Sequence, residues 1–171
     1  PFEDIEVKQN APKLLEKATC AKANGEIHDL RDIADKDVEV EILTFDDREG
    51  KKTFWHTSSH IMAQAILKFI PDAKLTIGPA VDNGFYYDID LGDDVINDEA
   101  VEAIEKEMKK ICKEGKKIYR REVSKAEALE MFKDDFYKLD LIGGLEDGNI
   151  TVYDQGDFTD LCRGPHVDNT K

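Results

Sequence analysis

An α+β fold, an antiparallel sheet packed with helices, is predicted by three observations. Strand-like and helix-like stretches mix without the regular strand–helix–strand alternation of a parallel sheet. No glycine-rich phosphate loop follows a strand, which speaks against a doubly wound nucleotide-binding fold. The stretch Val38-Glu39-Val40-Glu41-Ile42-Leu43 alternates apolar and acidic residues, as a strand with one wet face does.

In chain order, residues 11–20 read as a short helix with Pro12 near its start. Ala21-Lys22-Ala23 and Glu26-Ile27-His28-Asp29-Leu30 flank Asn24-Gly25, a hairpin signal. After the 38–43 strand, Asp46 to Lys52 has no apolar period and reads as a linker. Phe54 to Leu67 reads as a helix with no Gly or Pro, its apolar face at Ile61, Met62, Ala65 and Ile66. Pro71-Asp72-Ala73 stops it, and Lys74 to Ile77 reads as a strand broken at Gly78-Pro79. Gly84 to Leu91, rich in aromatics, is a further strand. Asn97 caps a long helix from Asp98 to about Lys113, with Val101, Ile104, Met108, Ile111 and Cys112 on its apolar side. Lys117 to Val123 reads as a strand. Ser124 then caps a helix to Phe132, with Glu127 placed for a capping box. Tyr137 to Ile142 and Asn149 to Tyr153 are strand candidates separated by a turn at Gly143-Gly144.

The 171 residues carry a net charge of −14, which argues against broad nucleic-acid affinity. Against that background, residues 106–125 hold nine basic and three acidic side chains, either a phosphate-contacting strip or a solvated face. Three cysteines at unrelated spacings argue against a disulfide framework and for a reducing, cytoplasmic setting. No apolar run approaches the roughly 18 residues of a membrane helix. Pro1-Phe2-Glu3-Asp4 lacks the basic start and apolar core of a signal peptide.

Three of the four histidines fall in two motifs, His56-Thr57-Ser58-Ser59-His60 and Cys162-Arg163-Gly164-Pro165-His166. His56 and His60 are four apart, so they share one side of a helix. Gly164 and Pro165 bring Cys162 and His166 together only through a turn. His56, His60, Cys162 and His166 offer good zinc ligands. The first motif is not that of a zinc protease, because Thr57 stands where a Glu would follow the first histidine. The same four side chains could hold a water instead, or belong to a helix and an unrelated loop. Lys138, in an alternating stretch, would share a strand face with Asp140, and by itself reads as a solvated lysine. Asp160 lies two before Cys162, on the same side of an extended segment.

Four ordered blocks resemble the editing region of threonyl-tRNA synthetases. They are Phe54-Trp55-His56-Thr57-Ser58-Ser59-His60, Ala73-Lys74-Leu75-Thr76-Ile77-Gly78-Pro79, Asp82-Asn83-Gly84-Phe85-Tyr86-Tyr87-Asp88 and Asp160-Leu161-Cys162-Arg163-Gly164-Pro165-His166-Val167. Upstream, residues 21–26 and 41–46 resemble the later part of the small β-grasp (TGS) module that precedes editing regions in that family. Its opening strands are not recognisable in residues 1–10.

The resemblance implies residues 1–48 as a partial TGS-like β-grasp module and residues 49–171 as an editing domain of the threonyl/alanyl type. It implies hydrolysis of mischarged Ser-tRNA(Thr), with the tRNA 3′ end and the rest of a synthetase chain as partners. ATP-dependent aminoacylation would need segments beyond residue 171. His56, His60, Lys138, Cys162 and His166 would be catalytic. Asp160, Gly78 and Tyr87 would bind substrate, Asp160 holding the α-amino group. Alanyl-type relatives hold zinc with the same two motifs, whereas the threonyl type works with water alone, so the expectation is metal-free hydrolysis with zinc as the alternative. Two competing readings are a non-catalytic, zinc-stabilised binding module and the regulatory N-terminal region of a nucleoside kinase-like enzyme.

Overall fold

Asn24 and Gly25 take positive φ values of 52° and 85°, closing a tight hairpin between β1 (Ala18–Ala23) and β2 (Glu26–His28). In this computed structural model, which describes residues 12–33 and 38–171, β3 (Val40–Thr44) pairs antiparallel on the other side of β1. The sheet order is β2-β1-β3, with Ala21, Ala23 and Leu30 as a small core of its own. The helix read over 11–20 is shorter, α1 (Pro12–Leu15), because Thr19 and Cys20 are taken into β1, where Cys20 is fully buried. The reading of residues 1–10 lies outside the described residues.

The 46–52 stretch is not a linker throughout. Its second half forms the first turn of α2 (Arg48–Phe69), a helix of 22 residues. Asp47 stands at the N-cap in extended conformation, but its carboxylate accepts the Thr44 N–H at 2.7 Å and so ties the helix start to the end of β3. Gly50 sits against that strand end: a Cβ there would lie 1.9 Å from the Thr44 carbonyl oxygen. α2 ends at the predicted place, before Pro71.

β4 (Lys74–Leu75) pairs with β7 (Ile89–Asp90), and β5 (Ala80–Val81) with β6 (Gly84–Phe85), all antiparallel. The single strand read over 84–91 is therefore two short strands in different ribbons, and the 74–77 strand shrinks to two residues. α3 (Asp98–Glu114) is capped by Asn97, whose side chain accepts the Ala100 N–H. It packs on α2 through Ile104 and Ile111 against Ile61, Ala65 and Ile66, while Val101, read as apolar-side, is about half exposed.

β8 (Ile118–Val123), β9 (Ile150–Gln155) and β10 (Phe158–Leu161) form an antiparallel sheet of order β10-β9-β8. α4 (Lys125–Met131) carries the predicted Ser124–Glu127 capping box. Val123, Ala128, Ile142, Ile150 and Val152 make the core beneath the sheet. The strand read over 137–142 is instead helix α5 (Phe136–Gly143), capped by Asp135, which accepts the Lys138 N–H. Lys138 and Ile142, one turn apart, are its buried residues, so Lys138 shares a face with Ile142 and not with Asp140. The architecture is α+β, with several small antiparallel sheets and helices. No helix among the described residues is long and apolar enough to cross a membrane.

Candidate active site

α2 presents His56 and His60 one turn apart, their rings 5.2 Å from centre to centre. Facing them, the chain leaves β10 at Leu161 and turns through Gly164 to His166. Gly164 has φ +74°, and a Cβ there would lie 2.0 Å from the Tyr153 hydroxyl, so backbone and space both demand glycine. Its N–H donates to Cys162 Sγ at 3.3 Å. Cys162 Sγ is 3.3 Å from His56 Nε2 and 3.2 Å from His166 Nε2. The ligand atoms of His56, His60, Cys162 and His166 all lie within 4.8 Å of one another. His56 stacks on His166 at 4.2 Å.

Proton positions follow from the partners. His56 Nδ1 is 3.1 Å from the Pro165 carbonyl, which can only accept, so Nδ1 carries the proton and Nε2 turns a lone pair to the thiol. Thr57 Oγ1 accepts the Val167 N–H and lies within bonding distance of both His166 Nδ1 (3.0 Å) and the Thr53 carbonyl (3.2 Å). Burial lowers the pKa of His60 to about 4, that of His56 below the usual 6.5 and that of His166 well below it. Burial pushes the Cys162 thiol up to about 12. At neutral pH the cluster is three neutral imidazoles and a protonated thiol, the opposite of the electropositive setting that makes a cysteine nucleophilic.

A second group adjoins the first. Lys138, buried at 2% exposure, places Nζ 2.6 Å from Asp160 Oδ1 and donates to the Thr76 carbonyl at 3.1 Å. Tyr87 donates its hydroxyl to Asp160 Oδ2, and burial together with the Asp160 charge holds that phenol far above its usual pKa. His60 Nε2 stands 3.7 Å from the same carboxylate, too far for a hydrogen bond. The Tyr87 ring packs on Gly78, where a Cβ would come within 2.3 Å of it. Ser59 fixes Gly78 by donating to its carbonyl at 2.8 Å. A cleft of about 290 Å³ opens beside His56, lined by Ile27, Lys52, Pro79, Ala80 and Pro165 among others.

Residues 150–171 match the model of the threonyl and alanyl tRNA synthetase second additional domain. Curated threonine–tRNA ligases align with nearly the whole chain. That of Porphyromonas gingivalis is 48% identical over 163 residues, 94% of this chain and 25% of the relative. That of Clostridium tetani is 53% identical over 167 residues, 96% and 26%. That of Clostridioides difficile is 51% identical over 161 residues, 92% and 25%. The chain is homologous to threonine–tRNA ligase. It spans about a quarter of the length of the ligases it matches.

The second-additional-domain match takes in β9, β10 and the Cys162–His166 turn, while His56 and His60 precede it. All eight site residues read from the sequence converge: His56, His60, Cys162 and His166 in the cluster, Lys138, Asp160 and Tyr87 beside it, and Gly78 beneath Tyr87. The donor set is compatible with zinc. Tetrahedral zinc holds a sulfur and a nitrogen ligand about 3.5–3.6 Å apart, and the two Sγ–Nε2 separations, 3.3 and 3.2 Å, are a few tenths of an ångström shorter. Sequence reasoning missed Thr57, Ser59, Asp29, Arg31 and Tyr153. Thr57 and Ser59 stand inside the His56–His60 motif, where helical spacing was the signal available. Asp29 lies 137 residues from its partner His166, a distance no motif spans.

Proposed function

We propose that the chain is an editing unit that hydrolyses the seryl ester of mischarged Ser-tRNA(Thr) by water attack. The same reading divides it into a partial β-grasp module, residues 1–48, and an editing domain, residues 49–171, working as part of a longer threonine–tRNA ligase. The observation that carries it is the junction of two buried groups, three neutral histidines with a protonated thiol and the Lys138–Asp160–Tyr87 set, in a chain homologous to these ligases. The chemical need is a second sieve, because one methyl distinguishes threonine from serine by only about 1–3 kcal/mol in binding.

Each group has a chemical part. A thiol held protonated is not the nucleophile, so attack falls to water, and the neutral imidazoles of His56, His60 and His166 can accept its proton. Two of the three Lys138 N–H groups are used by Asp160 and Thr76, which leaves one to stabilise the oxyanion. Asp160 retains lone pairs for the α-amino group of the seryl moiety, and Tyr87 over Gly78 sets the wall that meets a threonyl methyl. Zinc held by His56, His60, Cys162 and His166 would ionise the thiol and tie the turn to α2. Four protein ligands complete a tetrahedron, the closed arrangement of structural sites, which favours hydrolysis without metal.

The test is hydrolysis of Ser-tRNA(Thr) beside Thr-tRNA(Thr), with and without a zinc chelator. Selective loss of the seryl ester, unchanged by chelator, is the expected result. Loss that the chelator abolishes would make this a zinc enzyme. Absence of hydrolysis, with stability that falls on chelation, would favour a zinc-stabilised binding module.

A further inference from the structure

We propose that Asp29 and Arg31, which follow β2 in the N-terminal sheet, are positioning residues for the reaction: they hold the 162–167 turn so that Cys162 and His166 face the α2 histidines. The contacts converge on one residue. Asp29 Oδ1 accepts the His166 backbone N–H at 2.7 Å, and Arg31 Nη2 donates to the His166 carbonyl at 3.2 Å and the Val167 carbonyl at 2.8 Å. Both backbone polar groups of His166 are thus satisfied by side chains at least 135 residues earlier. Asp29, 2% exposed, uses its other oxygen to accept the Tyr153 hydroxyl at 2.6 Å, and the Tyr153 ring lies 4.5 Å from that of His166. Arg31 Nη1 also donates to the Ile118 carbonyl, tying the arrangement to β8.

On the α2 side the turn is held by His56 at the Pro165 carbonyl and by Thr57 at His166 and Val167. Asp29 and Arg31 hold the backbone of the same two residues, His166 and Val167, from the segment that follows β2. Groups that act together must be held within about 0.5 Å of their productive geometry, and a misplacement of about 1 Å can cost about 100-fold in rate. The N-terminal sheet, which carries none of the eight site residues, is therefore part of the site's frame.

This inference rests on the editing reading for its rate measurement, and a second measurement is independent of it. In the whole chain, Asp29→Asn and Arg31→Gln should lower kcat for Ser-tRNA(Thr) by about 10-fold or more with KM changed by less than about 2-fold, and Arg31→Lys should recover part of the loss. Alkylation of Cys162 by iodoacetamide, followed by peptide mass, should accelerate several-fold as the turn swings away, while Cys112 keeps its rate as an internal control. Circular dichroism should be unchanged. Parental kcat and parental Cys162 reactivity in folded variants would overturn the proposal. So would a loss of activity accompanied by equal acceleration at Cys112, which signals general unfolding. Should Asp29→Asn fail to fold, Arg31→Gln, which leaves the carboxylate and its two bonds in place, decides. An inactive parent chain would sink the editing reading, and the Cys162 to Cys112 ratio would then judge the positioning alone.

Discussion

Burying three imidazoles beside a thiol makes stability depend on pH. His60 titrates at about 4 in the folded chain against 6.5 ordinarily, so below 6.5 the unfolded chain binds the extra proton. Stability is then fully present above pH 6.5 and falls as pH drops towards 4, by roughly 3 kcal/mol for His60 alone. His56 and His166, lowered in the same direction by burial, add to the loss. Urea midpoints measured from pH 7.5 to 4.5 should decline accordingly, and His60→Gln should flatten the decline. Lys138→Ala leaves Asp160 as a buried, uncompensated carboxylate, a cost of about 3–5 kcal/mol, so urea unfolding should reveal a severe loss of stability. Cys162→Ala, by contrast, should keep the fold by circular dichroism and, on the proposed function, abolish deacylation; a fully active alanine variant would remove the thiol from the mechanism.

Elements whose local chemistry agrees with their packing were legible from sequence. The hairpin at Asn24-Gly25, the Asn97 cap and the Ser124–Glu127 box each satisfy the backbone with nearby side chains. Two of the elements that were misread or missed hold candidate site residues. α5 buries Lys138 where its pattern calls for an apolar residue, so the stretch looked like an alternating strand. β10 turns Phe158 and Asp160 inward, and the buried carboxylate broke the alternation that would have marked it. Residues that serve chemistry violate the pattern by which elements are recognised. The eight candidate site residues were singled out through their motifs and the family resemblance, whereas Asp29 and Arg31 depend on tertiary contact alone. Because Asp135 caps α5 by accepting the Lys138 N–H, Asp135→Ala should cost about 1 kcal/mol, read as a lower thermal midpoint. It should also reduce kcat by loosening the lysine.

On the scale of the whole molecule, the basic strip over residues 106–125 does not stand free. Lys109 pairs with Glu105, Lys106 with Glu102, Lys110 with Glu107 and Arg121 with Asp154, so much of its charge is balanced on the surface. Reversing Lys109 and Lys110 to Glu tests whether the strip meets tRNA despite this pairing. A strip that meets tRNA phosphates loses affinity and shows a shallower salt dependence, and an unchanged slope assigns it to solvent. The Gly50 contact has a consequence of another kind. It pins the start of α2 to the end of β3, and His56 and His60 follow six and ten residues later on the same rod. One residue inserted between Gly50 and His56 would advance the pair by about 1.5 Å and swing it through about 100°, turning both rings away from Cys162. The segment 50–56 is thus a spacer of fixed count: it can change in composition along its outer face, but not in length.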